Sequence, residues 1–570
     1  MIRTSTISLV VAAVLGSTIT AAAQSNSGAY LAARQASFES DYDAAASYFS
    51  RALISDPSNP ILLENAVTAF VGVGNTDGAV QIAQRLAGLG NDFQVANIVV
   101  FADMAAEGDW EDILSAQAEG LNVLPVYDSL LDAWALVGAG RMGDALAAFD
   151  AIADTPGVQA FGLYHKALAL GAVGDFEGAV AIFTGENGPR IRLTRRGLVA
   201  QAKILGLIGR EADAIASIVE AFGTDLDAEM QQLITTLETD PSSLLAPVTN
   251  AAQGVAELNY SIASAVSGET SDSYTLLFSR MAEFLNPDHV DALLLSAGLL
   301  ESLESYDLAT ESYDRVPREH PAFLSAELGR AGALRRSGKS DAAIEVLSQL
   351  GESHGDQPDV HVELGDVLRR MERYGEATVP YDRAIEIYGE PQEFHWPVYF
   401  ARGITHEREG LWDKAEADFR QALLLRPEQP QVLNYLGYSF VEMKTNLDEA
   451  LDMIERAVAL EPESGYIADS LGWVYYQLGR YEEAVDPMER AVELVPVDPI
   501  ITDHLGDVYW AVGRYREAEF QWHRALSFIT DETDLSDIDP DRIRRKLEVG
   551  LYSVLEEEGA EPLRVVNDDG

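Results

Sequence analysis

Near the end of the chain the apolar positions fall into paired, helix-length stretches that recur. Three of these begin QVLNYLGYSF, YIADSLGWVYY and ITDHLGDVYW, and each contains a Leu-Gly pair: Leu436-Gly437, Leu471-Gly472 and Leu505-Gly506. An aromatic residue stands three positions after each Gly (Phe440, Tyr475, Tyr509), followed by turns such as Gly479-Arg480-Tyr481 and Gly513-Arg514-Tyr515. Next come an alanine (Ala450, Ala484, Ala518) and, four residues on, a large side chain (Ile454, Met488, Trp522). Helical spacing on both sides of a turn predicts two antiparallel helices per unit. The small residues let the two backbones approach. The large ones are expected to fill the space between one hairpin and the next.

Taking the small residue of each second helix as a marker gives a register along the whole chain: Ala45, Ala79, Ile113, Ala145, Ala179, Ala214, Thr275, Ala309, Ala343, Ala377, Ala415, Ala450, Ala484 and Ala518. Most intervals repeat the step from Ala450 to Ala484 or come within a residue or two of it. The sequence resembles the tetratricopeptide repeat, in which roughly 34 residues form one helical hairpin and the hairpins stack. The resemblance implies an all-α superhelical solenoid of about fourteen hairpins. Pro57, Pro287, Pro321, Pro427, Pro462 and Pro496 lie twelve residues past their markers, where a second helix should stop. Pro380 and Pro487 fall inside second helices and should bend them.

One interval, between Ala214 and Thr275, is nearly twice as long as the rest. It contains a lone amphipathic stretch, Leu226 to Leu237, and turn chemistry from Asp240-Pro241-Ser242-Ser243 to Pro247. Two readings are open: a junction between two arms, or a degenerate repeat with seven residues missing. The first divides the chain into a weakly patterned arm over 24–225, a junction over 226–250 and a second arm over 251–529. Short inserts are expected near Gly389-Glu390-Pro391 and Lys444-Thr445-Asn446. An acidic loop and a helix carrying Ile543, Leu547, Leu551 and Val554 follow over 530–556, where a cap would cover the last hairpin. A disordered tail is predicted over 557–570.

Charge narrows the partner. With 92 acidic and 40 basic residues the formal net charge is −52, which opposes binding to nucleic acid and anionic membrane. Residues 1–23 read as a secretory signal: Arg3, an apolar stretch from Ile7 to Ile19, and Ala21-Ala22-Ala23 before Gln24. Cleavage near Ala23 would release a periplasmic protein with no integral membrane segment. The absence of cysteine leaves no disulfide and no site for lipid attachment.

Candidate chemistry is sparse. His406-Glu407-Arg408-Glu409-Gly410 begins like a zinc-protease helix, but Gly410 replaces the second His. Asp537, Asp539 and Asp541 alternate as in a calcium loop, yet Arg542 stands where the turn glycine belongs. No catalytic residue, metal or cofactor is expected, and the protein is read as no enzyme. The basic islands Arg190 to Arg196 and Arg542 to Lys546 are expected to pair within the chain.

The residues facing a groove are more informative. In stacked hairpins the first helices line the concave side, and positions −6, −3, +1 and +4 around the Leu-Gly glycine form one stripe. That stripe carries Asn434, Tyr438, Tyr466, Asp469, Trp473, Tyr476, Asp503, Asp507 and Trp510, with Arg335 and Arg369 at the +4 position of earlier repeats. Rigid aromatics of this kind dominate binding interfaces. The other reading of Trp473 and Trp510 is packing between repeats. The pattern LNYLGYSF, NLDEAL, DSLGWVYY and GRYEEA also resembles bacterial envelope repeat proteins, among them the lipoprotein that partners a carboxyl-terminal processing protease. That resemblance implies an adaptor for protein partners or extended peptides in envelope proteolysis or assembly. A subunit for polysaccharide export or glycan handling is the alternative.

Overall fold

In the computed structural model the protein is described over residues 27–90, 93–186, 191–223, 226–530, 533, 535, 538–560 and 563. The signal sequence expected over 1–23 lies outside these residues. Among the described residues the secondary structure is helical throughout, without a strand.

Each of the fourteen marker residues is the fourth residue of a helix, from Ala45 in Tyr42–Leu53 to Ala518 in Tyr515–Phe528. Each is fully buried. The small side chain leaves a shallow face against which the preceding helix lies. The large residue four positions on covers the glycine of its own first helix, and Phe419 also meets the next hairpin, as expected from the sequence, its ring 5.2 Å from Tyr435. A Cβ built on Gly365 would come within 2.6 Å of the Tyr381 ring, one on Gly403 within 2.6 Å of Phe419, and one on Gly472 within 2.5 Å of Met488. Glycine and large residue are therefore complementary halves of a single contact.

The turn inside each hairpin has its own requirement. In twelve of the fourteen hairpins the residue five positions before the marker has positive φ, and glycine supplies it at 74, 108, 140, 174, 209, 338, 410, 479 and 513. Ser40, Glu304 and Glu372 occupy the same position with φ of 56°, 58° and 59°. The insert near Lys444 to Asn446 has two positive values, Lys444 at 54° and Asn446 at 50°.

The chain forms two compact units, Met1–His354 and Gly355–Gly570. The division falls at His354 and not in the stretch 226–250, which the sequence suggested as a junction. That stretch holds a helix, Ala228–Thr239, and a short 3-10 turn, Pro241–Ser243. Its Met230, Leu233, Leu237, Leu244 and Val248 join one continuous core that runs from Ala29 to Met281.

The reason is the hairpin that follows, Ala251–Val266 and Asp272–Leu285. Its first helix packs on three earlier first helices, Gln94–Glu107, Pro125–Gly138 and Gln159–Ala172; its second packs on Pro60–Val73 and Gln94–Glu107. It thus lies along the inner face of the hairpins that precede it. A helix buried all round should be apolar or small all round. Every residue from Thr275 to Glu283 is buried, and so is every residue from Ala96 to Ala102 on the opposing helix. Long-range ties fix the seat: the Tyr42 hydroxyl donates to Ser273 Oγ at 3.0 Å, and Arg280 donates to the Gly72 carbonyl at 3.4 Å. Trp134 lies against Gly254, where a side chain would collide with its ring.

The second unit stacks five hairpins, beginning with Pro358–Arg370 and Tyr374–Tyr388 and ending with Pro499–Ala511 and Tyr515–Phe528. The cap is two helices, Pro540–Val549 and Leu551–Glu557, where the sequence suggested one. Gly550 breaks it, with φ of 83° and a Cβ position only 2.5 Å from Trp510. Of the tail expected to be disordered from Glu557, Glu557 and Glu558 pair with Arg545 and Arg542 at 2.6 and 2.7 Å. Residues 561–562 and 564–570 lie outside the described residues.

Glu372→Gly should raise stability by about 0.5–1 kcal/mol. The left-handed backbone costs a side chain roughly 1–2 kcal/mol, less the ~0.5–1 kcal/mol by which glycine favours the unfolded chain. A urea midpoint that rises at unchanged slope is the expected result, and an unchanged or lower midpoint would contradict it.

Candidate functional site

The inner face of the second unit contains a cavity of about 740 Å³. It is lined mainly from the first helices of three hairpins, with Glu407, Arg408 and Trp412 from a fourth, and closed at one end by the cap. Asn434 and Tyr438 come from Pro430–Glu442, Tyr466, Asp469 and Trp473 from Gly465–Gln477, and Asp503 and Asp507 from Pro499–Ala511. The structure therefore brings seven of the stripe residues to one surface. Tyr476 and Trp510 are not on it. Arg335 belongs to the first unit, and Arg369 donates to the Tyr381 hydroxyl at 3.2 Å.

The two excluded aromatics are packing residues. Tyr476 is buried and stacks on Trp473, rings 4.7 Å apart and 5° from parallel. Trp510 is enclosed by Tyr515 at 4.6 Å, Trp522 at 5.3 Å and Tyr552 at 6.1 Å. Its place beneath the cap was not visible from repeat position alone, because the cap helices lie outside the repeat period.

Trp473 combines both roles anticipated for it. The indole lines the cavity, yet it also stacks on the His504 ring at 4.0 Å and donates Nε1–H to Glu442 at 3.2 Å. His504 in turn lies 3.0 Å from Asp469. Tyr466 is different. It is 61% exposed and projects its ring with no packing partner among the described aromatics. Asn434 lines the same cavity, and its Oδ1 is buried without a hydrogen-bond partner.

The acids at the far end are already engaged. Lys546, fully buried, donates to both oxygens of Asp503 at 2.8 and 2.9 Å and to Asp507 at 2.6 Å. Trp522 donates Nε1–H to the same Asp507 oxygen at 2.9 Å. Asp503 and Asp507 thus fasten the cap to the last hairpin. Of the basic islands, Arg544 pairs with Asp541 and Arg195 with Asp227, each at 2.5 Å, whereas Arg192 makes no ion pair among the described residues and Arg190 lies outside them.

Burial tends to lower the pKa of His504, but Asp469, Asp503 and Asp507 outweigh it and hold the imidazole above its ordinary value. His406 is tied to Asp418 at 3.0 Å. Among the described residues, no group of three His, Asp or Glu side chains is arranged to hold a metal ion, and no helix is long and apolar enough to cross a membrane.

The tetratricopeptide repeat family matches this chain over residues 328–390 and 444–499. These residues are tetratricopeptide repeats. A tetratricopeptide repeat-containing protein of Pseudomonas aeruginosa is 26% identical over 196 residues, 34% of this chain and 32% of that protein. A lipoprotein NlpI homolog of Haemophilus influenzae is 34% identical over 84 residues, 15% of this chain and 26% of that protein. The chain thus matches about a third and about a quarter of the lengths of these relatives. Among solved structures, the APC/C hetero-tetramer Cut9–Hcn1 aligns with TM-score 0.38 and 14% identity, covering 94% of this chain and 98% of that one. A stacked array of these repeats is a scaffold for protein–protein interaction.

Lys546→Met should destabilise the second unit by about 3–5 kcal/mol, because two buried carboxylates lose their cation. Restoring part of that loss with Asp503→Asn in the same chain is the check, read by thermal melts. Two additive losses would mean that the pair is not coupled.

His504 gives a pH signature. Its folded pKa lies above the unfolded value, so its contribution is complete below about pH 6.5 and is lost as pH rises through the folded value. The second unit should therefore weaken between neutral and alkaline pH, and His504→Gln should flatten that slope in urea titrations.

Proposed function

We propose that the protein is a non-catalytic adaptor of the bacterial cell envelope, holding an extended segment of a partner protein in the groove of its second unit. The observation that carries this reading is the open cavity on that face, lined by Asn434, Tyr438 and Trp473 and by Tyr466, which is 61% exposed. Tyr466 supplies the rigid aromatic surface against which a side chain of the segment can pack.

The first unit offers no equivalent face along Gln94–Ala172, because its own hairpin lies there. The second reading, a glycan groove, needs open aromatic platforms. Here Trp473 is already stacked on Tyr476 and His504, which favours peptide over sugar. The signal-like residues 1–23 and the likeness to the NlpI homolog support an envelope address, and envelope proteolysis or assembly is the branch of function they suggest.

Photo-crosslinking from position 466 in intact cells, followed by mass spectrometry, should recover an envelope protein. Asn434→Ala and Tyr466→Ala should each weaken its capture by roughly 2 kcal/mol, about thirtyfold, with melting temperature little changed. Capture equal to wild type by the folded double variant would sink the groove reading. Export can be checked separately, from a mature chain beginning near Gln24 in the periplasmic fraction.

A further inference from the structure

The first unit has a cavity of its own, about 620 Å³, between Gln159–Ala172, Arg195–Leu207, Ala251–Val266 and the start of Val290–Ser302. A volume of that order suits a small molecule. Part of its wall is apolar and aromatic: Phe161, Tyr164, Val199 and Tyr260.

The charges around it are unevenly committed. Glu257 is buried, and Arg196 Nε lies 2.8 Å from both of its oxygens. The Tyr164 hydroxyl donates to it at 2.7 Å, and His289 Nε2 stands 3.3 Å away. Arg196 also pairs with Asp291, and Glu229 pairs with Arg195 at 2.5 Å. These carboxylates are occupied, while Asp288, exposed on the lining, makes no ion pair among the described residues. Several donors are free as well. Lys203, half-buried on the wall, makes no ion pair or hydrogen bond among the described residues, and neither do exposed Arg192 and the Tyr260 hydroxyl. His320 accepts the Ala322 N–H on Nδ1 at 3.1 Å, so the neutral ring carries its proton on Nε2, without an acceptor.

A cation at low dielectric beside a second cation is costly unless an anion joins it. The pKa of Lys203 is depressed, chiefly by burial and then by Arg196, and the opposing pull of Glu229 and Asp291, neither of them paired with it, does not offset this.

We propose that this cavity binds a small organic anion, with its carboxylate at Lys203 and its apolar body against Phe161, Val199 and Tyr260. Arg195 and Arg196 are held by carboxylates, and Arg192, the other cation on the wall without a partner among the described residues, is exposed, so Lys203 is the half-buried cation left to receive the anion. The site is separate from the groove of the second unit, and its test does not depend on that reading.

Calorimetry on the full chain with benzoate, benzyl alcohol and benzylamine tests it directly. Benzoate should bind one to one and at least tenfold more tightly than benzyl alcohol, with no heat from benzylamine. Lys203→Met should bring benzoate down to the level of benzyl alcohol, while Lys203→Arg keeps the preference. The dipeptide Ala-Phe and its C-terminal amide distinguish the source. Binding of the free carboxylate alone would identify peptide C-termini, and binding of benzoate without Ala-Phe would identify a free acid. The proposal is overturned if benzyl alcohol matches benzoate on the unmodified chain, if no probe binds, or if folded Lys203→Met retains wild-type affinity.

Discussion

The closeness of the two helices in a hairpin is the constraint on which the structure depends. At the marker position the second helix carries a residue small enough to be fully buried against its neighbour, and a glycine opposite accommodates the large side chain that follows. The same closeness recurs between hairpins. A Cβ on Gly162 would come 2.6 Å from the main-chain nitrogen of Ala153, the last residue of the preceding hairpin's second helix. Main chain cannot move aside as Met488 can.

Both units close part of the inner face with their own chain, and both do so around a buried charge. In the first, Glu257 on the inserted hairpin is gripped by Arg196, Tyr164 and His289. In the second, Lys546 on the cap is gripped by Asp503 and Asp507. Buried ion pairs contribute little net stability once desolvation is counted, but a misplaced one is severely penalised. Their effect is to fix where an added element sits. The hydrophobic contacts alone would permit neighbouring registers, since one hairpin presents much the same apolar stripe as the next.

The repeat register was legible because it is local: a marker, its turn and its glycine lie within one hairpin and recur in the next. All fourteen markers fall at the fourth residue of a helix for that reason. The seat of the hairpin Ala251–Leu285 was not legible, since Gly254 lies against Trp134 and Asn259 accepts from the Tyr127 hydroxyl, both more than a hundred positions away. The groove was read in part. Asn434, Tyr438, Tyr466, Asp469 and Trp473 follow the helical stripe onto the cavity, whereas Trp510 obeys the same arithmetic and ends beneath the cap. Position on a helix predicts the direction of a side chain, not what another part of the chain will lay over it. The cavity at Lys203 carried no sequence signal, because the four helices around it are brought together only by the inserted hairpin.

That insertion also sets the order in which the first unit can become complete. Tyr42 finds its partner at Ser273, and the Ser40 carbonyl accepts from Ser305 at 2.7 Å. A simple array of repeats gains its stability neighbour by neighbour and can fold as it is synthesised. Here the earliest hairpins leave the ribosome with their inner face uncovered and must wait for more than two hundred further residues. Contacts so distant in sequence slow folding and make it all-or-none. The first unit is built of repeats, but its folding is that of a globular domain, completed only when its late hairpin arrives.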